Sequence, residues 1–401
     1  MEAIISEAVK HLNLDKSNWS PVKFGEIAIQ QKKTVDRDSS SLTKYVKGEH
    51  MGSEDIHLRE WGELQDEYLG PAFIRYFEEG DILYGSRRTY LKKVVIAPFE
   101  GITSNTTFVI KANEKKLDKR LLPFIMLSDG FSEHSIKNSK GSVNPYVNWK
   151  DLANYKFLLP PLDQQAELAE LLWAMDEVIE RERELQESLN FNLKAYLKDN
   201  LVKDSKLDKI PLGEIIESLE AGSSVNCHNG GYDPNGKGIL KTSAITGENF
   251  LASEVKTVLK IQESKLKKNI KANSILFNRK NTQALVGSSK FVENELPNIY
   301  CPDLIWQIQI RSEIIFPKLV WYYMSTEQFR SQIESLSNGT NLSMVNISQK
   351  KALKVNIPIP SRTKQSQLIH ELDRIDNCKS LINSRISDST SLQKSLINQI
   401  F

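Results

Sequence analysis

The sequence contains an internal duplication whose two copies are offset by 200 residues. Residues 160–165 read PPLDQQ and residues 360–365 read PSRTKQ, and a segment with a regular apolar stripe follows each of them. Matches continue at the same offset: Leu168 with Leu368, Leu172 with Leu372, Asp176 with Asp376, Lys194 with Lys394, and Leu197 with Ile397. Self-similarity over such a distance predicts two copies of one fold in a single chain.

Three further pairs of segments match upstream of this region. They are FGEIAI (24–29) with LGEIIE (212–217), DILYGSRR (81–88) with SILFNRKN (274–281), and SKGS (139–142) with SNGT (337–340). A duplicated fold has pseudo-twofold symmetry, which suits a ligand of the same symmetry. Duplex DNA is the commonest ligand of that kind.

Length and cysteine content limit the class of protein. A chain of 401 residues is long enough for two or three domains with proper cores. The three cysteines Cys227, Cys301 and Cys378 are too widely separated for a disulfide framework, which points to a reducing cytoplasm. No basic and apolar leader begins the sequence, and no apolar run approaches the ~20 residues of a membrane span. We therefore expect a cytoplasmic protein that does not cross a membrane.

Charges are segregated along the chain although the formal net charge is only +2. Residues 80–120 hold nine Lys or Arg against four acids, and residues 253–280 hold eight against two. The segment 163–187 reverses this balance, with nine acids and two arginines. A single charged run usually marks a solvated face. Two matching basic stretches, one in each copy, favour two lobes that bind a polyanion.

Two long helices are predicted from residues 163–203 and 362–401, with Asp163 and Ser361 as N-caps. Apolar side chains recur close to the 3.5-residue spacing of a heptad seam, and about 40 residues of helix extend about 60 Å. A single narrow stripe on each helix is buried most economically against the other, so we expect an antiparallel pair. Its predicted seam consists of Leu168, Leu171, Met175, Val178, Leu185, Leu189, Leu368, Leu372, Ile375, Ile382, Leu392 and Leu396.

The remaining segments indicate an α+β fold, since β-type runs such as VVIAP, TFVIK and LIWQIQI alternate with turns and with helical patterns near 120–137 and 317–336. We predict two mixed α/β target-binding domains related by pseudo-twofold symmetry and joined by the antiparallel coiled coil. The predicted boundaries are an N-terminal helix at 1–18, domains at 19–160 and 208–360, and the two helices at 161–207 and 361–401.

Sequence motifs for catalysis are incomplete. GYDPNGKG (231–238) nearly matches a phosphate-binding loop, but Gly238 replaces the Ser or Thr that would bind magnesium. NPY (144–146) lacks the second proline of the N-P-P-[FY] pocket of adenine methyltransferases, and no [DE]-x-K follows Pro302-Asp303 as a nuclease would require. The six histidines show neither metal-ligand nor triad spacing. We therefore predict neither a catalytic site nor a metal site.

The duplicated Pro-x-x-x-x-Gln segments, LPPLDQQAEL (159–168) and IPIPSRTKQSQL (357–368), each precede a predicted long helix. Each in turn follows a GDIL-like strand, at 80–83 and 273–276. In this combination the chain resembles the DNA specificity subunit of type I restriction–modification enzymes over essentially its whole length. The second copy departs from the usual P-P-L-x-x-Q, which we expect to affect only the start of its helix.

The resemblance implies a non-catalytic, sequence-specific subunit that binds double-stranded DNA. Each of its two target-recognition domains would read one half of a bipartite, gapped site, and the helices would act as spacer and dock. The implied partners are two copies of a DNA adenine methyltransferase subunit and a restriction and translocase subunit. S-adenosylmethionine and ATP with Mg²⁺ would bind to those partners, so no cofactor is expected in this chain.

Two pairs of matched loops offer the side chains that DNA binding needs, since Lys and Arg contact phosphates and polar side chains contact base edges. The candidate DNA-binding residues are Arg87, Arg88, Lys92, Ser142 and Asn144 in the first copy, and Arg279, Lys280, Asn281, Asn338, Thr340 and Asn341 in the second.

An alternative function is that of an interaction scaffold, in which the coiled coil dimerises and the lobes bind protein without reading DNA. The paired basic stretches favour DNA. Salt-dependent binding to duplex DNA in the presence of a methyltransferase distinguishes the two hypotheses.

Overall fold

The computed structural model describes residues 14–36, 40–337 and 344–401. The chain divides into two compact units. Unit 1 comprises Met1–Leu185 with Ile382–Phe401, and unit 2 comprises Gln186–Leu381. Each unit therefore combines one copy of the repeat with a stretch of both long helices. The predicted N-terminal helix at 1–18 lies mostly outside the described residues, and its described part, 14–18, is not helical.

Unit 1 contains two four-stranded sheets and a two-stranded ribbon. The sheets have the strand orders β2-β9-β6-β7 and β4-β3-β8-β5, and the ribbon pairs β1 with β10. The strands are β1 Ser20–Lys23, β2 Ala28–Gln31, β3 Lys44–Val46, β4 Gly62–Glu63, β5 Phe73–Phe77, β6 Ile82–Gly85, β7 Val94–Ile96, β8 Gly101–Ser104, β9 Thr107–Ala112 and β10 Lys156–Leu159.

Unit 2 repeats this arrangement. Its orders are β12-β20-β16-β18 and β14-β13-β19-β15, and its ribbons pair β11 with β22 and β17 with β21. The parallel pairing of β3 with β8 also recurs, between β13 and β19. The internal duplication of the sequence therefore corresponds to two copies of one sheet arrangement. The strands are β11 Asp208–Pro211, β12 Ile216–Ala221, β13 Gly238–Leu240, β14 Val255–Thr257, β15 Asn269–Ile270, β16 Ser274–Asn278, β17 Lys280–Asn281, β18 Ser289–Val292, β19 Leu296–Tyr300, β20 Ile305–Ile310, β21 Val345–Asn346 and β22 Asn356–Ile359.

Helices flank the sheets in both units, and the helical patterns near 120–137 and 317–336 are confirmed. The α-helices are α1 Phe24–Ile27, α2 Leu122–Leu127, α3 Asp129–Lys137, α4 Trp149–Ala153, α5 Leu162–Leu197, α6 Leu212–Ile215, α7 Ser243–Thr246, α8 Pro317–Met324, α9 Glu327–Leu336, α10 Gln349–Ala352 and α11 Arg362–Ile400. The described residues also form 3₁₀ helices at Thr89–Leu91, Lys119–Leu121 and Lys260–Lys265, and a π-helix at Lys198–Val202 continues α5. The predicted mixed α/β fold with two long helices is confirmed.

Strand burial follows the sequence pattern. Strand β10 alternates exposed Lys156 and Leu158 with buried Phe157 and Leu159, as a strand covered on one face does. Strand β16, SILFN, is buried at every position because it lies inside its sheet and is covered on both faces. The cores include residues of both long helices, such as Leu172 and Leu396 in unit 1.

The two long helices, of 36 and 39 residues, run antiparallel within each unit. In unit 1, Gln393 donates to the carbonyl of Leu172 at 3.3 Å, and Arg385 pairs with Glu182 at 2.8 Å. Later residues of α5 therefore contact earlier residues of α11, as the two helices of an antiparallel pair do. In unit 2 the Lys364 ammonium donates to the Asn200 side chain at 2.7 Å, at the other end of the pair.

Burial along the helices differs in part from the predicted seam. Leu185 is 51% exposed, whereas Glu182, Leu172 and Ile179 are buried. The buried residues of α5 still alternate in steps of four and three, through Leu168, Leu172, Met175, Ile179 and Glu182. The heptad spacing therefore holds, and alternate predicted positions lie one residue too early. Of the predicted seam residues, six are buried (Leu168, Met175, Leu368, Leu372, Ile382 and Leu396), and five are half-buried (Leu171, Val178, Leu189, Ile375 and Leu392).

The glutamine of each Pro-x-x-x-x-Gln segment joins its helix to the adjacent sheet domain. Gln165 is 1% exposed; its side-chain amide donates to the carbonyls of Pro160 and Lys116, and its oxygen accepts from the Asp118 N–H at 2.8 Å. These bonds satisfy one buried and two partly buried backbone groups at the boundary between helix and sheet domain. The motif is therefore a hydrogen-bonded junction.

Gln365 makes the same three bonds in unit 2. Its amide donates to the carbonyls of Pro360 (2.9 Å) and Ile314 (3.0 Å), and its oxygen accepts from the Phe316 N–H at 3.1 Å. Helix α11 starts at Arg362 with Ser361 as its N-cap, so the altered PSRTKQ sequence leaves the helix start unchanged. The predicted Asp163 cap was wrong, because α5 already begins at Leu162 and Asp163 lies in its first turn.

Candidate nucleic-acid interface

The two predicted loops of unit 1 lie side by side. Arg87, which follows β6, forms an antiparallel bridge with Tyr146. The Arg88 N–H donates to the Pro145 carbonyl at 2.6 Å, and the Val147 N–H donates to the Ser86 carbonyl at 2.9 Å. Two loops that are far apart in sequence therefore form one surface, and Arg87, Arg88, Ser142 and Asn144 are all exposed on it.

Unit 2 builds the corresponding surface with a short ribbon. Strand β17 pairs with β21, placing Lys280 opposite Asn346, and the Ile347 N–H donates to the Arg279 carbonyl at 3.0 Å. Lys280 and Asn281 are half-buried, and the Asn281 side chain accepts from the backbone N–H of Thr282. The predicted Asn338, Thr340 and Asn341 lie outside the described residues.

Two residues that were predicted to contact DNA also make contacts within the chain. The Lys92 ammonium pairs with Asp129 at 2.5 Å and with Glu54 at 3.3 Å, and its side chain is only 11% exposed. The Arg279 guanidinium donates through Nε to the Asp303 carbonyl at 2.7 Å. Lys92 is therefore not free to bind a phosphate. Arg279 retains only part of its hydrogen-bonding capacity.

Backbone conformation also marks the unit 1 loop. Arg88 and Lys92 have φ angles of 49° and 45°, in the left-handed region, at the two ends of the 3₁₀ helix Thr89–Leu91. Such conformations are unfavourable for side chains other than glycine and cluster at binding sites. The bonds to Pro145 and Asp129 hold this loop in its shape, so the Arg88 side chain is displayed from a fixed turn.

A second junction joins each sheet domain to its helix, at the matched pair Asp176 and Asp376. In unit 1, His57 Nε2 lies 2.9 Å from the Asp176 carboxylate. This hydrogen bond is the main reason why the pKa of His57 is raised above its ordinary value, against the opposing effect of burial. His57, which looked unremarkable in the sequence, thus has a structural role. The Asp176–Asp376 match was the available signal.

In unit 2 the same position is held by different residues. Asp376 accepts a hydrogen bond from the Tyr322 hydroxyl and pairs with Lys318 at 3.1 Å. Burial alone would lower the pKa of Lys318, but its bonds to Asp373, Glu293 and Asp376 raise it above the ordinary range. The two junctions therefore occupy equivalent places with different chemistry.

Among the described residues, no group of three or more His, Cys, Asp or Glu side chains is placed to hold a metal ion. None of the described helices has the length and apolar character needed to cross a membrane.

Comparison with known proteins identifies the family. Two stretches of the sequence, residues 16–190 and 205–389, match the type I restriction modification DNA specificity domain. The chain belongs to this family, with one specificity domain in each copy of the repeat.

Individual relatives agree with this assignment. The chain is 29% identical over 182 residues to the specificity subunit of the type I restriction enzyme EcoDI from Escherichia coli, and 25% identical over 208 residues to that of MjaVIII from Methanocaldococcus jannaschii. These matches cover 43% and 47% of this chain and 39% and 48% of the two relatives, so the chain spans less than half the length of each.

A solved structure supports the fold. The S subunit of a type I restriction–modification system from M. genitalium is 14% identical, with a TM-score of 0.54 and 97% of both chains covered. At this identity the likeness concerns the fold alone.

Proposed function

We propose that this chain is the non-catalytic subunit that recognises a bipartite, gapped DNA site, with one half-site read by each unit. The observation that carries the proposal is the repeated pairing of two distant loops into one surface, once in each unit. In both cases the surface carries basic and polar side chains, the types that contact phosphates and base edges.

The antiparallel helices supply the second part of the proposal. Each unit is fixed to both helices through its core and through a buried glutamine, so the helices would set the distance between half-sites. They would also dock two copies of a DNA adenine methyltransferase and, in a full enzyme, a restriction and translocase subunit. S-adenosylmethionine and ATP with Mg²⁺ would act on those partners, and adenine would be flipped out of the duplex for methylation.

Methylome sequencing tests this function directly. A host that expresses the chain with its cognate methyltransferase should carry methylated adenines in a two-part motif separated by a fixed gap. Replacing residues 208–360 by those of a relative should change one half of the motif and leave the other half unchanged. A contiguous motif, or a change in both halves, would contradict two independent readers.

Binding measurements separate DNA reading from a scaffold role. With its methyltransferase present, the chain should bind duplex DNA with an affinity that falls steeply as salt rises, because phosphate contacts release counterions. Binding without salt dependence, or none at all, would favour the scaffold.

A further inference from the structure

Unit 2 has an open groove beside its candidate interface, which we call the β13 groove. It encloses about 550 Å³, and its walls are the loop 223–229, the strand β13 with the start of α7, Lys256 of β14, and the pair Pro302–Asp303. The Asp303 carbonyl accepts the Arg279 hydrogen bond described above, so the groove adjoins the loop that follows β16. Of the DNA-binding residues predicted from the sequence, those that the structure describes lie outside the lining of this groove.

The loop that forms one wall is held as an extended segment. The His228 N–H donates to the Thr257 carbonyl at 2.9 Å, the Leu259 N–H donates to the Asn226 carbonyl at 3.1 Å, and Cys227 bridges Val258. At the start of the loop, Ser223 bridges Pro302. Backbone bonds therefore hold both ends of the segment from which these side chains project.

The groove displays side chains of mixed hydrogen-bonding character. Asn226, His228, Asn229, Thr242 and Lys256 line it, and within the described parts of the chain their side chains make no hydrogen bond or ion pair. By contrast, the neighbouring Lys241 is neutralised by Glu254 at 2.9 Å. Asp303 adds a carboxylate opposite in charge to Lys256.

This composition favours base edges over phosphates. A phosphate site needs an excess of cations, whereas the lining charges of Lys256 and Asp303 cancel and those of Lys241 and Glu254 form a pair. Base edges in the major groove present both donors and acceptors: amides match adenine, lysine matches guanine, and carboxylates match the cytosine amino group. A lining with amide, ammonium, hydroxyl and carboxylate groups matches that chemistry.

Unit 1 differs at the corresponding place. Strand register puts Lys256 opposite Ile239, and in unit 1 the corresponding pair is Gly62 opposite Tyr45. The Tyr45 ring occupies the space beside Gly62, because a Cβ at Gly62 would lie 2.0 Å from that ring and the ring would have to move. An aromatic ring therefore fills this position in unit 1, whereas a lysine side chain extends from it in unit 2. Such a difference is expected if the two units share a scaffold and read different bases.

We propose that the β13 groove reads base edges in the half-site bound by unit 2, with Asn226 and Lys256 as residues that determine specificity. This inference rests on the proposed DNA-reading function. It assigns sequence discrimination to the groove and leaves positioning on phosphates to the loops after β6 and β16.

The test uses the full chain with its cognate methyltransferase and a duplex library randomised at one half-site at a time. The variants are Asn226→Ala and Lys256→Met, with Lys265→Met as control, since Lys265 is an exposed lysine of the same basic stretch outside the groove. Each groove variant should lose roughly tenfold in discrimination at one or two positions of the unit 2 half-site. The control and the unit 1 half-site should be unchanged.

The outcomes separate this inference from the function on which it rests. If the parent protein selects no two-part motif, the proposed function fails. If the parent selects such a motif and both groove variants keep its base preferences, the groove does not read bases and the inference is wrong. Uniformly weaker binding with unchanged preferences also overturns it, because that result describes a phosphate contact. Melting curves of the variants confirm that all are folded.

Discussion

The two units share their internal supports and differ in their outer surfaces. Gln165 and Gln365 make the same three hydrogen bonds to equivalent backbone groups. The loops after β6 and β16 differ: unit 1 exposes two arginines, whereas unit 2 has Lys280 and Asn281 at the matching positions. The Asp176 and Asp376 junctions are intermediate: both units have an aspartate at this position, but its partners differ. The two units thus keep a common geometry at the glutamine junctions and differ in the side chains of their outer loops.

The largest expected effect comes from breaking the shared junction. Gln165→Leu or Gln365→Leu removes three hydrogen bonds and leaves buried backbone groups without partners, which should lower the free energy of unfolding by about 3 kcal/mol. Gln367→Leu is the matched control, since Gln367 is exposed two residues farther along α11. Thermal or urea unfolding measures the difference. Equal stability of Gln365→Leu and Gln367→Leu would show that the glutamine is not a structural junction.

The surfaces should respond in DNA binding and not in stability. Arg87→Glu with Arg88→Glu removes two exposed cations and should lower the slope of log affinity against log salt by about 2, at roughly 0.9 per phosphate contact. Lys280→Glu should have the smaller effect of a single charge. Filter binding over a salt series with the methyltransferase present measures both slopes.

Two controls sharpen that comparison. Lys23→Glu with Lys156→Glu reverses two exposed lysines of the β1–β10 ribbon, outside the loops, and should leave the slope unchanged. Lys92→Gln should reduce stability and keep the slope, because Lys92 is already neutralised by Asp129 and Glu54. An unchanged slope for the Arg87 and Arg88 variant would place this surface away from DNA.

The smallest expected effect is a pH dependence confined to unit 1. The pKa of His57 is raised in the folded state by its bond to Asp176. This bond therefore contributes its full stabilisation of the fold below pH 6.5, the ordinary pKa of histidine, and the contribution is lost as the pH rises through the folded-state pKa. Asp55 and Glu180 also favour the charged form. Because the pKa of Lys318 is raised above its ordinary value of 10.5, the stabilisation from the unit 2 junction should not change with pH up to at least that value.

Melting temperatures at pH 6 and pH 8.5 measure this effect. The parent protein should lose more stability than His57→Gln between the two values, and Lys318→Met should show the same pH dependence as the parent. If His57→Gln retains the full pH dependence, another group is responsible.

Sequence patterns predicted the periodic and repeated features and missed the long-range ones. The duplication, the strand runs and the two long helices follow from local periodicity and are present. The ion pairs of Lys92 were missed because Asp129 and Glu54 approach it from other segments, which a linear pattern cannot reveal. The exposure of Leu185 has a different origin, since the buried stripe of α5 keeps the heptad spacing but passes through Leu172 and Ile179, one residue beyond the predicted positions. The β13 groove carries no motif at all, because its walls come from four separate segments.

The central claim is that two readers are held at a distance set by the helices. It is tested by inserting seven residues after Leu185 in α5 and seven after Leu381 in α11. Seven residues make nearly two helical turns, so the buried faces stay aligned and roughly 10 Å of helix is added, at about 1.5 Å per residue. DNA rises about 3.4 Å per base pair, so the gap in the methylated motif should lengthen by about three base pairs while both halves keep their sequence. Methylome sequencing gives the answer. An active complex with an unchanged gap would contradict the claim that these helices set the spacing.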